Sequence, residues 1–223
     1  MIVTIDGPAG AGKSSAARSL AKRLGFRFLD TGAMYRAITL EAMRRQIDWK
    51  DSSALARIAE DFDLRITDDR VFLGDEDVTE SIRSFDVTSH TRHAADNLAV
   101  RRRMVQLQRE LAADANFVTE GRDQATVVFP AAQCKIYLTA DDEVRAQRRF
   151  QDLIARGEQV TLAEVLKKQQ LRDQQDRQRE MGGLRKAEDS IEVRTDGMSA
   201  EEVVRRLEEI VKSRLTGLLE PEK

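Results

Sequence analysis

Eight residues near the start of the chain leave the fewest options for its fold. Gly7-Pro8-Ala9-Gly10-Ala11-Gly12-Lys13-Ser14 fits G-x-x-x-x-G-K-[ST] at every fixed position. Before it, Ile2-Val3-Thr4-Ile5-Asp6 is an apolar, β-branched run that predicts a short buried strand. After it, Ala16, Ala17, Leu20, Ala21 and Leu24 recur at helical spacing. Glycines in such a turn let successive N–H groups converge on an anion, and the first turn of the helix adds unpaired N–H groups and a partial positive charge. Lys13 adds a full charge for the terminal phosphates, and the Ser14 hydroxyl suits Mg²⁺. The alternative is a glycine-rich turn before an ordinary helix. The complete motif with both flanks in place argues against it and for a nucleoside triphosphate.

At 223 residues the chain can bury a sizeable core, as one domain or one with a large insertion. A formal net charge of −2 provides no basic field for nucleic acid or a membrane surface. The single cysteine, Cys134, has no intrachain disulfide partner and sits in an apolar run, as a buried core thiol does. With no apolar stretch of membrane-spanning length and no basic leader, a cytoplasmic protein is expected.

Along the chain, Phe26-Arg27-Phe28-Leu29 predicts a second strand, ending in Asp30-Thr31-Gly32-Ala33-Met34-Tyr35-Arg36. That stretch suits either a plainly capped helix start or an anion site at a helix N-terminus. Residues 38–96 change character: helical pattern through Met43, a short helix near 52–60, then Phe62–Thr67 and Val71–Leu73 across Asp68-Asp69-Arg70, a hairpin signal. Asp77-Val78-Thr79 adds a third short strand. A small antiparallel sheet does not belong inside a wound parallel core, so 38–96 reads as an inserted domain, with the core formed by 1–37 and 97–223.

A helix is predicted over 97–114, opening on Arg101-Arg102-Arg103. Asn116-Phe117-Val118-Thr119 is the next strand, delivering Glu120-Gly121-Arg122-Asp123 at its carboxyl end, where open α/β sheets bind ligands; a charged turn is the alternative. Lys135–Thr139 is another core strand. Two helices follow, at 141–156 with Arg145, Arg148, Arg149 and Arg156, and at 161–179, where Arg172, Asp176 and Arg179 share one face. They read either as solvated helices laced with ion pairs or as a lid, about 150–186, that brings guanidinium forks to phosphates. Ser190–Val193 is a last strand, Ser199 caps a helix over 200–216, and Glu220–Lys223 is expected to be disordered. The fold class expected is thus α/β: a P-loop core with a parallel sheet, a small antiparallel insertion that binds the acceptor, and a helical, arginine-rich lid.

The guanine-reading N-K-x-D and the D-x-x-G switch of GTPases are absent, and motor ATPases need far more chain. What remains is a small phosphotransferase. Over essentially its whole length the chain resembles the bacterial cytidylate kinases. The match is carried by Thr4–Ser15, Asp30–Arg36, Val100-Arg101, Gly121-Arg122-Asp123 with Thr126–Pro130, and Arg172-Asp173 with Asp176-Arg177. The resemblance implies ATP with Mg²⁺ as donor, held by Gly7 through Ser15, and CMP or dCMP as acceptor. It implies that Thr31, Arg36, Arg122 and Arg179 hold the acceptor phosphate, that Arg101 and Asp123 read cytosine, that Arg172 and Asp176 hold the ribose, and that Arg148 and Arg149 face the transferring phosphates. Departures fall at Arg92 and Glu120, where the family often has Ser and Asp, at Gln175 in place of Arg, and at Gly183 in place of Pro. A kinase for another acceptor such as UMP or a non-nucleotide alcohol, and a non-enzymatic nucleotide switch, stay open beside this reading. With a mixed surface and no heptad seam, a monomer is expected.

Overall fold

The structure is a computed structural model and describes residues 1–67, 69–155 and 157–219. The expectations for Asp68, Arg156 and the tail Glu220–Lys223 fall outside the described residues. By internal packing the chain divides into Met1–Phe28 with Ala115–Lys223, and Leu29–Asp114.

The first unit is built on a five-stranded sheet in the order β2-β6-β1-β7-β8, with β1 at Ile2–Asp6, β2 at Arg27–Asp30, β6 at Phe117–Gly121, β7 at Cys134–Thr139 and β8 at Ile191–Arg194. β1 runs parallel to β6 and β7, and β7 parallel to β8. Alternation along the strands puts Val3, Ile5, Val118, Cys134, Ile136, Leu138 and Val193 on one face. Helices α1 (Lys13–Leu24) and α8 (Ala200–Leu219) cover it with Ala16, Ala17, Leu20, Val203, Leu207 and Val211. Each buried Leu, Ile or Val side chain contributes about 1.5–3 kcal/mol of transfer free energy. The register pairs Ile5 with Glu120 and Asp6 with Gly121, so the glycine-rich turn and the Gly121-Arg122-Asp123 turn leave the sheet side by side.

Gly7 sits at the mouth of β1 with φ +153, and a Cβ there would lie 2.0 Å from the Leu138 carbonyl oxygen. Only glycine lets the chain turn that close to β7.

The second unit holds α2 (Thr31–Arg44), α3 (Ser52–Glu60), a three-stranded antiparallel sheet of β3 (Leu64–Ile66), β4 (Val71–Leu73) and β5 (Glu76–Asp77), then α4 (Phe85–Asp96) and α5 (Leu98–Leu111). Its interior is Met34, Ile38, Leu55, Ile58, Val78, Ile82, Val87, Ala94, Val100 and Met104. Trp49 stacks on both histidines, at 5.1 Å from His90 and 5.0 Å from His93.

This unit is wider than the 38–96 span read from the sequence, because α2 packs on α3, α4 and α5. Helix α4 was not anticipated. Its interior carries Val, Thr and His, which are weak helix formers, but Ser84 accepts a bond from the Val87 N–H at 3.3 Å and Val87 and Ala94 are buried. Tertiary burial outweighs the local propensity. β5 precedes the expected Asp77–Thr79 strand by one residue.

Candidate active site

In the first unit the glycine-rich turn has Gly10 at φ 77 and Gly12 at φ 84, both left-handed. Gly12 occupies the N-cap of α1 without a side-chain bond, so no side chain caps the first turn of the helix. The Lys13 ammonium curls back to donate to the Pro8 carbonyl at 2.7 Å and is buried. Burial, then the like charge of Arg122, bring its pKa down to about 7.

The Ser14 hydroxyl donates to Glu120 Oε1 at 2.8 Å. A hydroxyl and a carboxylate beside a phosphate nest are hard oxygen donors of the kind Mg²⁺ takes, so these residues fit the expected ion. Among the described residues no three His, Cys, Asp or Glu side chains converge as a complete protein cage.

Asp6, at the end of β1, is 2% exposed and accepts the backbone N–H groups of Gln124 at 2.9 Å and Ala125 at 2.7 Å. Burial raises its pKa to about 7 even though those two bonds favour the ionised form. By holding the π-helical turn Gln124–Val128, Asp6 fixes the residues that follow Arg122 and Asp123.

Arg122 donates from Nε to Asp176 Oδ2 at 2.8 Å, and Arg179 donates to Asp176 Oδ1, also at 2.8 Å. Burial opposes the Arg122 charge, but Asp176 and Glu120 outweigh it and hold the guanidinium above its ordinary range. Burial likewise opposes ionisation of Asp176, and Arg122 and Arg179 overcome it. Arg172 keeps its surface open to solvent. Crowding by surrounding protein, then the like charge of Arg122, still push it below the ordinary arginine value, with Arg149 contributing. Arg122 and Arg172 therefore lie near Lys13, with Arg149 near Arg172 and Arg179 on the Asp176 carboxylate that Arg122 also binds.

Two expectations need correction. Arg179 is not on the face of α7, because α7 spans Leu162–Gln178 and Arg179 has ψ 132; its long side chain still reaches back to Asp176. Arg148 does not join the cluster. It donates to the Thr195 hydroxyl at 2.9 Å and the Thr195 carbonyl at 2.7 Å, since the loop after β8 offers two acceptors to that side of α6 (Asp142–Ala155). The arginine of α6 that touches the glycine-rich turn is Arg145, which the sequence reading counted as one of a run. Only its placement one residue before the fully buried Ala146 marks it out.

In the second unit Asp30 caps α2, accepting from the Ala33 N–H at 2.8 Å, and lies 3.4 Å from Arg36. Thr31 is buried beside it. Arg101, at 2% exposure, donates to the Ala95 carbonyl at 3.0 Å and lies 5.6 Å from the Tyr35 ring centroid. Of the run Arg101-Arg102-Arg103, the first is buried, the second exposed and the third half-buried. A guanidinium that deep in a small unit, over an aromatic face, is placed rather than solvated.

A parallel sheet whose first strand enters G-x-x-x-x-G-K-S, with arginine-bearing helices α6 and α7 in the same unit, defines a small P-loop kinase. The chain is 52% identical to the cytidylate kinase of Rhodopirellula baltica over 91% of its own length and 89% of that protein, and 44% identical to the cytidylate kinase of Carboxydothermus hydrogenoformans over 95% and 97%. The fold is similar to that of shikimate kinase from Bacteroides thetaiotaomicron, with a TM-score of 0.50, 13% identity, and coverage of 95% and 98%. The family model described as cytidylate kinase matches residues 3–213, and the chain belongs to that family.

Proposed function

We propose that the chain transfers the terminal phosphoryl group of ATP to the 5′-phosphate of CMP and dCMP. One observation carries the reading: Lys13 of the glycine-rich turn has Arg122 and Arg172 near it, Arg149 lies near Arg172, and Arg122 shares Asp176 with Arg179, in a chain of the cytidylate kinase family. The printed names of the relatives favour CMP over the UMP alternative.

In this reading Gly7 through Ser15 cradle ATP, with Lys13 on its terminal phosphates. Thr31, Arg36, Arg122 and Arg179 receive the acceptor phosphate, Arg101 and Asp123 the cytosine, and Arg172 and Asp176 the ribose. Arg149 faces the transferring group. The compact stretch Leu29–Asp114 serves as the acceptor-binding domain and about 150–186 as the lid. Ser14, with Glu120 beside it, would hold Mg²⁺, which would neutralise charge on the donor phosphates. The protein acts as a cytoplasmic monomer.

The acceptor oxygen belongs to a phosphate monoester and is already ionised, so no residue need act as a general base. The obstacle is bringing two polyanions into line and spreading charge off the transferring group. Arg122 is held charged by Asp176 and Arg179 is anchored to the same carboxylate, so both cations are oriented before substrate arrives. Lys13 is buried with its ammonium on Pro8 and is freed only when an anion competes for it. Shielding from water protects ATP from hydrolysis.

A coupled assay of ADP release with CMP, dCMP, UMP and AMP tests the reading. CMP-dependent release with UMP at least about tenfold poorer in kcat/KM is expected, because a polar pocket rejects a ligand that leaves its groups unpaired. No acceptor-dependent release would replace the kinase by a nucleotide switch.

A further inference from the structure

The glycine-rich turn is gripped from behind by two buried ions outside its motif. Arg145 on α6 is 1% exposed. Its Nη1 donates to the Ala9 carbonyl at 2.6 Å and lies 2.7 Å from Asp173 Oδ2 on α7, and its Nε donates to the Ala140 carbonyl at 3.0 Å. Asp173, 2% exposed, accepts the Ala9 N–H at 3.2 Å. The N–H and the C=O of one loop residue are therefore bonded to the two members of one ion pair. At the next residue, a Cβ on Gly10 would lie 3.3 Å from both Arg145 Cβ and Gln169 Oε1, and Gln169 is itself tied to the Asp142 carbonyl at 2.9 Å. Helices α6 and α7 thus meet the turn at Ala9 and Gly10.

Burying a guanidinium and a carboxylate this deeply is a poor route to stability, since apolar residues of like volume often serve as well or better. What the pair supplies is direction: a planar fork and a carboxylate fix the main chain of Ala9 in a way that a methylene surface does not. The downstream end of α7 has a separate anchor, Asp176 with Arg122 and Arg179.

We propose that Arg145 and Asp173 are positioning residues for the phosphate donor, holding the glycine-rich turn in its anion-receiving shape and joining α7 to it, so that they govern the affinity for ATP and leave that for the acceptor to the Asp176 anchor. The inference rests on the kinase reading above. Neither residue touches a substrate; each acts through Ala9.

The test compares Asp173→Asn, Arg145→Lys and the double variant Arg145→Met/Asp173→Leu with the unaltered chain, measuring Tm, kcat, KM for ATP and KM for CMP, and ATP binding by calorimetry. Each single change raises KM for ATP about tenfold or more, within the 10–100-fold range seen when an orienting partner is lost, while KM for CMP moves less than about threefold. Since Asp173→Asn leaves the buried Arg145 with only the part-exposed Asp142 as counter-ion, a fall in Tm alone decides nothing. The double variant removes both buried charges and regains Tm relative to Asp173→Asn, though short of the unaltered chain because the Ala9 and Ala140 backbone groups and Asp142 lose a partner, yet it keeps the raised KM for ATP. Recovery of both, or an equal rise in both KM values, overturns the proposal. If the unaltered chain shows no CMP-dependent ADP release, the kinase reading has failed. Calorimetric ATP affinity, weakened in the double variant or not, then decides the donor-loop claim alone.

Discussion

The Ser14 hydroxyl and the Glu120 carboxylate lie 2.8 Å apart, joining the first turn of α1 to the end of β6. Register opposite Ile5 puts Glu120 there, and the helix start brings Ser14 to it. Removing the negative charge while keeping the shape, as Glu120→Gln does, leaves the serine with a weaker partner. The Mg²⁺ concentration for half-maximal activity rises about 10-fold, as for other orienting groups around a metal, with KM for CMP unchanged. A magnesium titration of the variant checks this. An unshifted curve removes Glu120 from the metal's surroundings.

Lys13→Ala and Arg122→Ala separate chemistry from stability. Lys13 is held by one carbonyl in a buried site that lowers its pKa to about 7, so its loss does not lower Tm. Its kcat falls by roughly 10³, the scale of one phosphate-facing cation. Arg122→Ala removes one of the two guanidinium hydrogen bonds to Asp176 and costs about 1–3 kcal/mol of stability as well. Steady-state kinetics beside calorimetric Tm measures both. A kcat within threefold of the unaltered chain in either variant excludes that residue from the mechanism.

Asp6 gives a pH dependence of stability with a definite sign. Its folded pKa, raised by burial from 3.8 to about 7, lies above the unfolded value. The folded state therefore binds the extra proton, and the stability this contributes is full below the unfolded value and lost as pH rises through about 7. Asp6→Asn cannot titrate. Its Tm relative to the unaltered chain improves steadily from pH 4 to pH 7 and levels off above about 8, beneath a constant loss from the one N–H it leaves unbonded. Scanning calorimetry at four pH values shows the slope, and a flat difference contradicts it.

Gly7→Ala destroys the turn between β1 and the phosphate loop. Its methyl carbon would sit 2.0 Å from the Leu138 carbonyl oxygen, which belongs to a core strand whose Leu138 pairs with Val193 of β8 and cannot retreat. A loss above about 4 kcal/mol follows, the range reserved for strain of this kind. Urea unfolding measures it. An alanine variant of ordinary stability would mean that the turn takes another path.

Asp123 and Arg101 are tested by selectivity. Asp123 is 5% exposed and Arg101 2%, so neither is a solvated surface charge. Under the kinase reading, Asp123→Asn lowers kcat/KM for CMP by about 10²-fold or more and for UMP by much less, because the lost carboxylate accepts from an amino group that UMP lacks. Parallel losses for both substrates would shift Asp123 from base reading to a structural part in the turn that Asp6 holds.

How much of this lay in the order of residues follows physical lines. Local rules reached the strand–glycine turn–helix of residues 2–24, the hairpin at 64–73 and the cap at Ser199, since their causes lie within a few residues: a φ only glycine adopts, a side chain bonding an N–H three places on. The strands over 2–6, 116–119, 135–139 and 190–193 were legible for the same reason, within two residues of their observed bounds.

Tertiary structure alone decided which charges work together. In the sequence Arg145, Arg148 and Arg149 are three arginines in five positions of one helix. In the fold the first is buried against Ala9, the second is spent on Thr195, and the third lies near Arg172. Helical periodicity separates faces but not what each face will meet. The same holds for α4, whose weak local propensity is overruled by the burial of Val87 and Ala94, and for Asp6, which needs the N–H groups of residues more than a hundred positions away. Charge acts through space at a few ångströms, and only the folded chain sets those distances.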